Sequence, residues 1–216
     1  TVTRIGERAF MNCDSLISVS LPESIERIER LAFDGCRNLK EIKMPSKANH
    51  IGSGAFNSCK QLEAIRIPEG VTILYYTTFW DCNNLKSIIL PNSLTTIENG
   101  VFVDCDSLST ITFPDSLVKI GNYTFGYCDA LDSITIPASV TDIGTEPFGY
   151  CNNLKSLQVA EGNPKYDSRD NCNAIIETAT NKMAVGCAAT IIPEGITTLG
   201  TYASAFGFRY KPIISA

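Results

Sequence analysis

Leu16-Ile17-Ser18-Val19-Ser20-Leu21-Pro22-Glu23-Ser24-Ile25-Glu26-Arg27-Ile28-Glu29-Arg30-Leu31-Ala32-Phe33-Asp34-Gly35-Cys36-Arg37-Asn38 is one unit of 23 residues, and the chain is built by repeating it. Cysteine recurs at Cys13, Cys36, Cys59, Cys82, Cys105, Cys128 and Cys151 with a step of 23 throughout. Three residues ahead of each stands a phenylalanine (Phe10, Phe33, Phe56, Phe79, Phe102, Phe125, Phe148), and three behind a leucine (Leu16, Leu39, Leu62, Leu85, Leu108, Leu131, Leu154). Pro22, Pro45, Pro68, Pro91, Pro114 and Pro137 close the register, and Ala160 breaks it where a seventh proline is due. A fixed period of this kind marks a stack of coils, because one short unit cannot bury its own apolar face and must bury it against the next.

Within the unit, Val19 and Leu21 alternate as a short strand would, and Pro22 ends that strand because it has no N–H to give a ladder. Ile25 and Ile28 carry a second extended stretch inward. Ala32, Phe33 and Cys36 have the i, i+3, i+4 spacing of a single helical turn. Asn38, Asn84 and Asn153 follow that turn, where a left-handed residue commonly ends a helix and asparagine tolerates the conformation. Equivalent residues then stack on their own kind at roughly the inter-strand spacing of 4.8 Å, so seven coils reach roughly 35 Å.

The phase runs unbroken from residue 1 to about 159, which favours one elongated domain over two globular ones. Val2 and Ile5 match Ile25 and Ile28, so the chain starts halfway through a coil without a polar cap, and a piece of a longer repeat protein is expected. Net charge is −5 and the basic residues form no cluster, which excludes a nucleic-acid footprint. No apolar run approaches a membrane span, and no signal sequence opens the chain.

The periodic cysteines read as small buried hydrophobes. There is no C-x-x-C pair and His50 is the sole histidine, so neither zinc nor any other cofactor is expected. A Ser–His–Asp or Cys–His centre would rest wholly on His50, no coil carries two acids at a telling spacing, and no catalytic residue is assigned.

Residues 160–188 form an irregular coil. Asn163 stands where an aliphatic residue is due, and Pro193 follows Pro137 by 56 residues where two periods would give 46, so ten residues have entered. Residues 174–177 and 182–185 flank a turn at 178–181 as a hairpin would. That register sets Glu177 opposite Lys182 and Ile176 opposite Met183, both favourable cross-strand pairs. It also sets Cys172 opposite Cys187, leaving two readings, a disulfide or a pair of buried thiols. Asp167, Asp170 and Asn171 lack the calcium-loop pattern and read as a solvated acidic loop. Residues 189–216 resume the repeat at Ile192-Pro193 and depart from it at Ala203-Ser204-Ala205-Phe206, giving an imperfect terminal coil.

Two surfaces are candidates for a partner. The outward strand positions are mostly serine and threonine, with Glu41, Lys43 and Arg66 as a charged end; a solenoid's strand face is a common extended binding surface. The second is aromatic. Tyr75, Tyr76 and Trp80 occupy positions that other coils fill with glycine or polar residues, and Tyr123, Tyr127 and Tyr150 follow two to three coils later. Tyrosine and tryptophan are typical interface anchors, the alternative being local filling where a glycine was lost.

The patterns L-x-x-I-x-L-P, I-G-x-x-A-F and C-x-x-L, well shown by Leu131 to Pro137, Ile120-Gly121 with Phe125, and Cys128 to Leu131, resemble those of the BspA-like leucine-rich repeat proteins of bacterial cell surfaces. The likeness covers about residues 1–159 and 189–200, and Asn163-Pro164 through Cys172 resembles a variant repeat of that family. It implies an α/β leucine-rich repeat solenoid, a right-handed superhelix with a parallel β-sheet on its concave face and short helical or 3-10 turns on its convex face. It further implies an exported or surface-attached protein that binds host or bacterial proteins in adhesion, without catalytic residues and without naming a partner or an oligomeric state. A structural spacer presenting another domain is the alternative, and a hydrolase a more distant one. Tyr75 in place of glycine and Thr78 and Thr124 in place of alanine depart from the pattern.

Overall fold

A computed structural model describes residues 1–201. The coils stack as the period predicts, and each is tied to its neighbours on three sides. The first side holds the short strands Ser18–Ser20, Glu41–Lys43, Ala64–Arg66, Ser87–Ile89, Ser133–Ile136 and Ser156–Val159, paired in parallel with a register step of 23, as in Val19 with Ile42. Thr110 to Thr112, expected to be strand, is not. The coil that has lost strand geometry carries Phe113, whose ring packs edge-on against Phe125 at 5.8 Å, where others carry Leu21, Ile67 or Ile136.

The second side is the extended stretch near Ile28. Arg4–Ile5, Arg27–Ile28 and His50–Ile51 form one parallel ladder, and Ile73–Leu74, Thr96–Ile97, Lys119–Ile120 and Asp142–Ile143 form another.

The third side corrects the α/β expectation. Ala32, Phe33 and Cys36 do point inward and are fully buried, yet no helical turn carries them. Two residues of every coil lie in the left-handed region: Arg8, Leu31, Gly54, Thr77, Gly100, Tyr123 and Glu146 at one position, and Asn12, Gly35, Ser58, Asp81, Asp104, Tyr127 and Tyr150 at the other, with φ from 48° to 71°. An α-helix needs consecutive right-handed residues, and these reversals forbid it. They turn every second amide along the stack, so Leu31, Phe33 and Gly35 donate to the carbonyls of Ser53, Ala55 and Asn57 at 2.8–3.0 Å, while Ala32, Asp34 and Cys36 donate locally, three residues back. Asn38, Asn84 and Asn153 are not left-handed. Among the described residues the one helical element is the 3-10 turn Arg169–Asn171.

The core is a set of ladders. The seven phenylalanine rings stack with centroids 5.0–5.6 Å apart and planes within 21° of parallel. Each cysteine from Cys36 to Cys151 donates its S–H to the phenylalanine carbonyl of the coil before, at 2.9–3.3 Å. Thr78 and Thr124, buried in place of alanine, satisfy their hydroxyls on Tyr75 O and Gly121 O at 2.6 and 2.8 Å.

At the irregular coil, Asn163 donates to Pro137 O and Val140 O and accepts from the amides of Lys165 and Tyr166, all at 2.8–3.0 Å. The chain then forms a mixed sheet of Tyr166–Asp167, Ala174–Glu177, Lys182–Gly186 and Thr198–Leu199. The hairpin pairs Glu177 with Lys182 and Ile176 with Met183 as expected, but a bulge follows, and Ile175 pairs with Val185. The extra residue moves Cys172 out of opposition to Cys187. Cys172 packs with Ala174, Ile176 and Met183, Cys187 packs against the main core, and both are free thiols. The departure expected at residues 203–206 lies outside the described residues.

Candidate interaction surface

Because the coils stack, residues 43 to 51 apart in sequence become near neighbours. Tyr76, Trp80, Tyr123 and Tyr127, each between 37% and 50% exposed, line one cleft of about 410 Å³. Tyr76 and Trp80 form one wall and Tyr123 and Tyr127 the other, two coils on, so the walls stand roughly 10 Å apart at the inter-strand spacing. Between them the coil presents Gly100, Val103 and, one step further, Gly126. A Cβ at Gly100 would sit 3.7 Å from Tyr76 Cε2 and one at Gly126 3.6 Å from Val103 Cγ2, so the cleft exists because these two side chains are missing.

The rims are polar. On one side Asp104 Oδ2 accepts from Trp80 Nε1 at 3.1 Å. Burial raises the Asp104 pKa above the usual carboxylate value, and Asp106 and Asp81 add to this against the hydrogen bond from Trp80. On the other side stand Asn99 and Asn122, both exposed, whose Oδ1 atoms accept the amides of Asn122 and Thr145. Glu98 accepts the amide of Tyr76 at 3.0 Å. Glu146, the next rung after Tyr123, is buried with Oε1 unpaired among the described residues.

The other sequence-predicted residues divide. Tyr150 lies one coil beyond the cleft and stacks on Tyr127 at 4.4 Å, extending that wall. Tyr75 turns away, half-buried, with its ring 5.4 Å from His50. There Glu29 receives Arg4 and Arg27 at 2.9 Å, and its pKa is lowered although burial opposes this. His50 is held below its usual pKa by burial and by Arg27. Glu41, Lys43 and Arg66 lie together, exposed, along a shallow groove of about 740 Å³ on the strand face, and none forms an ion pair among the described residues.

The periodic thiols are poor nucleophiles. Burial pushes Cys36 up to about 11 and Cys59, Cys82, Cys105 and Cys128 well above the usual value. No group of three His, Cys, Asp or Glu side chains able to hold a metal occurs among the described residues.

The repeat matches the pattern of the BspA type leucine rich repeat region in six copies, over residues 1–89 and 73–206. The chain belongs to this family. As a BspA-type repeat it is similar to a leucine rich repeat protein of T. pallidum, at 30% identity over 71% of this chain and 72% of that one, with a TM-score of 0.65. It is also similar to a leucine rich cell surface protein of Faecalibacterium prausnitzii, at 30% identity over 87% of this chain and 44% of that one (TM-score 0.58). A leucine-rich repeat protein of Eubacterium ventriosum, 22% identical over 86% of this chain and 46% of that one, shares the fold with a TM-score of 0.65. The chain thus spans under half the length of the latter two. No match was found among curated proteins. No described helix is long and apolar enough to cross a membrane.

Proposed function

We propose that this BspA-type solenoid is a non-catalytic protein-binding module of an extracellular or cell-surface protein, acting in adhesion, and that the aromatic cleft is its principal contact. The convergence of Tyr76, Trp80, Tyr123 and Tyr127 from separate coils carries the reading. Large rings half-exposed around one concavity provide apolar area with little conformational entropy to lose, which is what interface anchors require. The groove with Glu41, Lys43 and Arg66 supplies a separate charged contact on the strand face. Likeness to a cell surface protein of F. prausnitzii supports the location.

Biolayer interferometry against a panel of purified extracellular-matrix proteins, with the Tyr76→Ala/Trp80→Ala double variant as control, tests this. Binding to at least one, weakened ten-fold or more in the variant, is expected. Equal binding by both forms, or by neither to any protein, refutes the reading.

A further inference from the structure

We propose that the cleft between Trp80 and Tyr127 takes an arginine side chain of an extended peptide segment, sandwiching its guanidinium against the aromatic walls and pairing it with Asp104. The inference rests on the cleft being the interaction site proposed above, and it names the chemistry the cleft selects.

Three observations point the same way. The walls are tyrosine and tryptophan, whose ring faces attract cations, and arginine lies flat against such faces better than any other side chain. The edge joining the walls is acidic. Asp104 is bonded to Trp80 on one side and is the rung directly before Tyr127 on the other. Asp81 and Asp106 lie close enough to act on its charge, and Lys60, 3.0 Å from Asp81, is the one cation paired with this group among the described residues. An acidic ligand would meet Asp104 without answering it, whereas a guanidinium answers it with two parallel N–H donors.

The opposite rim fits a peptide backbone. With each Oδ1 occupied, Asn99 and Asn122 present amide donors one coil apart. Each can donate to a backbone carbonyl of a bound peptide, while the arginine reaches down between the walls. The floor leaves room for it: positions 100 and 126 are glycine.

Trp80 is the sole tryptophan of the chain, so its emission reports the cleft directly. The probe is a blocked peptide of alternating glycine and arginine, compared with the same peptide carrying citrulline, which keeps the shape and loses the charge. The arginine peptide should change Trp80 emission saturably, and the citrulline peptide should require at least ten-fold more. Raising salt from about 50 to 300 mM should weaken the arginine response several-fold, since the pairing is partly exposed. Gly126→Leu should abolish the response. Its backbone is not left-handed, its Cβ would meet nothing closer than 3.5 Å, and Met11, Asp34, Asn57, Trp80 and Val103 occupy the same position in other coils. Asp104→Asn, which keeps an acceptor for Trp80 Nε1, should weaken the response at least ten-fold with the thermal midpoint preserved. An equal response to citrulline, or a response that survives Gly126→Leu, overturns the inference. No response to arginine, while Tyr76→Ala/Trp80→Ala still abolishes protein binding, overturns it and leaves the protein-binding reading standing; failure of both experiments overturns both.

Discussion

Cys82 Sγ lies 3.2 Å from the carbonyl oxygen of Phe56, which also accepts the amide of Cys59, so the thiol links its own coil to the one before. A small apolar residue could fill the volume but not make the bond. Cys82→Ala removes a fully buried sulfur together with a weak donor, and the expected cost is about 1–2 kcal/mol. Urea unfolding, read as a lower midpoint at unchanged slope, measures it.

The same burial makes the solenoid sensitive to alkali. Cys36 titrates at about 11 in the folded chain against an ordinary value of 9.0. Below pH 9 the thiol is neutral in both states and its contribution is complete. Above it the unfolded chain loses the proton first, so stability falls as pH rises toward 11, by about 2 kcal/mol for a shift of this size. The deeper thiols act in the same direction. Urea midpoints at pH 7 and pH 10.5 should differ, and Cys36→Ala should narrow the difference.

Two glycines in neighbouring segments should respond unequally to alanine. A Cβ at Gly121 would lie 2.6 Å from the backbone of Glu98 and Asn99, whereas one at Gly126 meets only ordinary contacts. Gly121→Ala is expected to lower stability by about 2 kcal/mol and Gly126→Ala to leave it within about 0.5 kcal/mol. Paired thermal melts decide the matter, and equal effects would contradict the packing described.

Asn163 is the hinge pin of the irregular coil, since its four hydrogen bonds reach both the preceding coil and the start of the hairpin. Asn163→Ala should cost about 2–3 kcal/mol. Asn163→Val, which restores the repeat's aliphatic residue, should fail to rescue it. Faster amide exchange confined to residues 160–188 is the expected signature.

Much of this was legible in the letters. The stacking of Phe33 on Phe56, the extended stretch at Ile28, and the pairing of Glu177 with Lys182 all follow from period and alternation. The third side is not legible in the sequence because Ala32, Phe33 and Cys36 face inward alike from a helical turn and from a chain that alternates its handedness. The left-handed positions carry leucine, threonine, tyrosine and aspartate as readily as glycine, so no residue type announces them. The hairpin bulge after Ile176 left no mark in an apolar run, and it moved Cys172 to another face. The aromatic positions were visible one by one. Their union was not, because what creates the cleft is the absence of side chains at Gly100 and Gly126, positions that carry no chemistry of their own.

The amides of Leu31, Phe33 and Gly35 find their acceptors in the next coil through backbone atoms alone. Recombination that gains or loses one whole unit between Trp80 and Tyr123 would therefore restore every such bond downstream while moving one wall by a single rung, roughly 4.8 Å. The width of the cleft is inherited as an integer. A lineage carrying this repeat can resize the cleft in discrete steps, by copying a segment it already has.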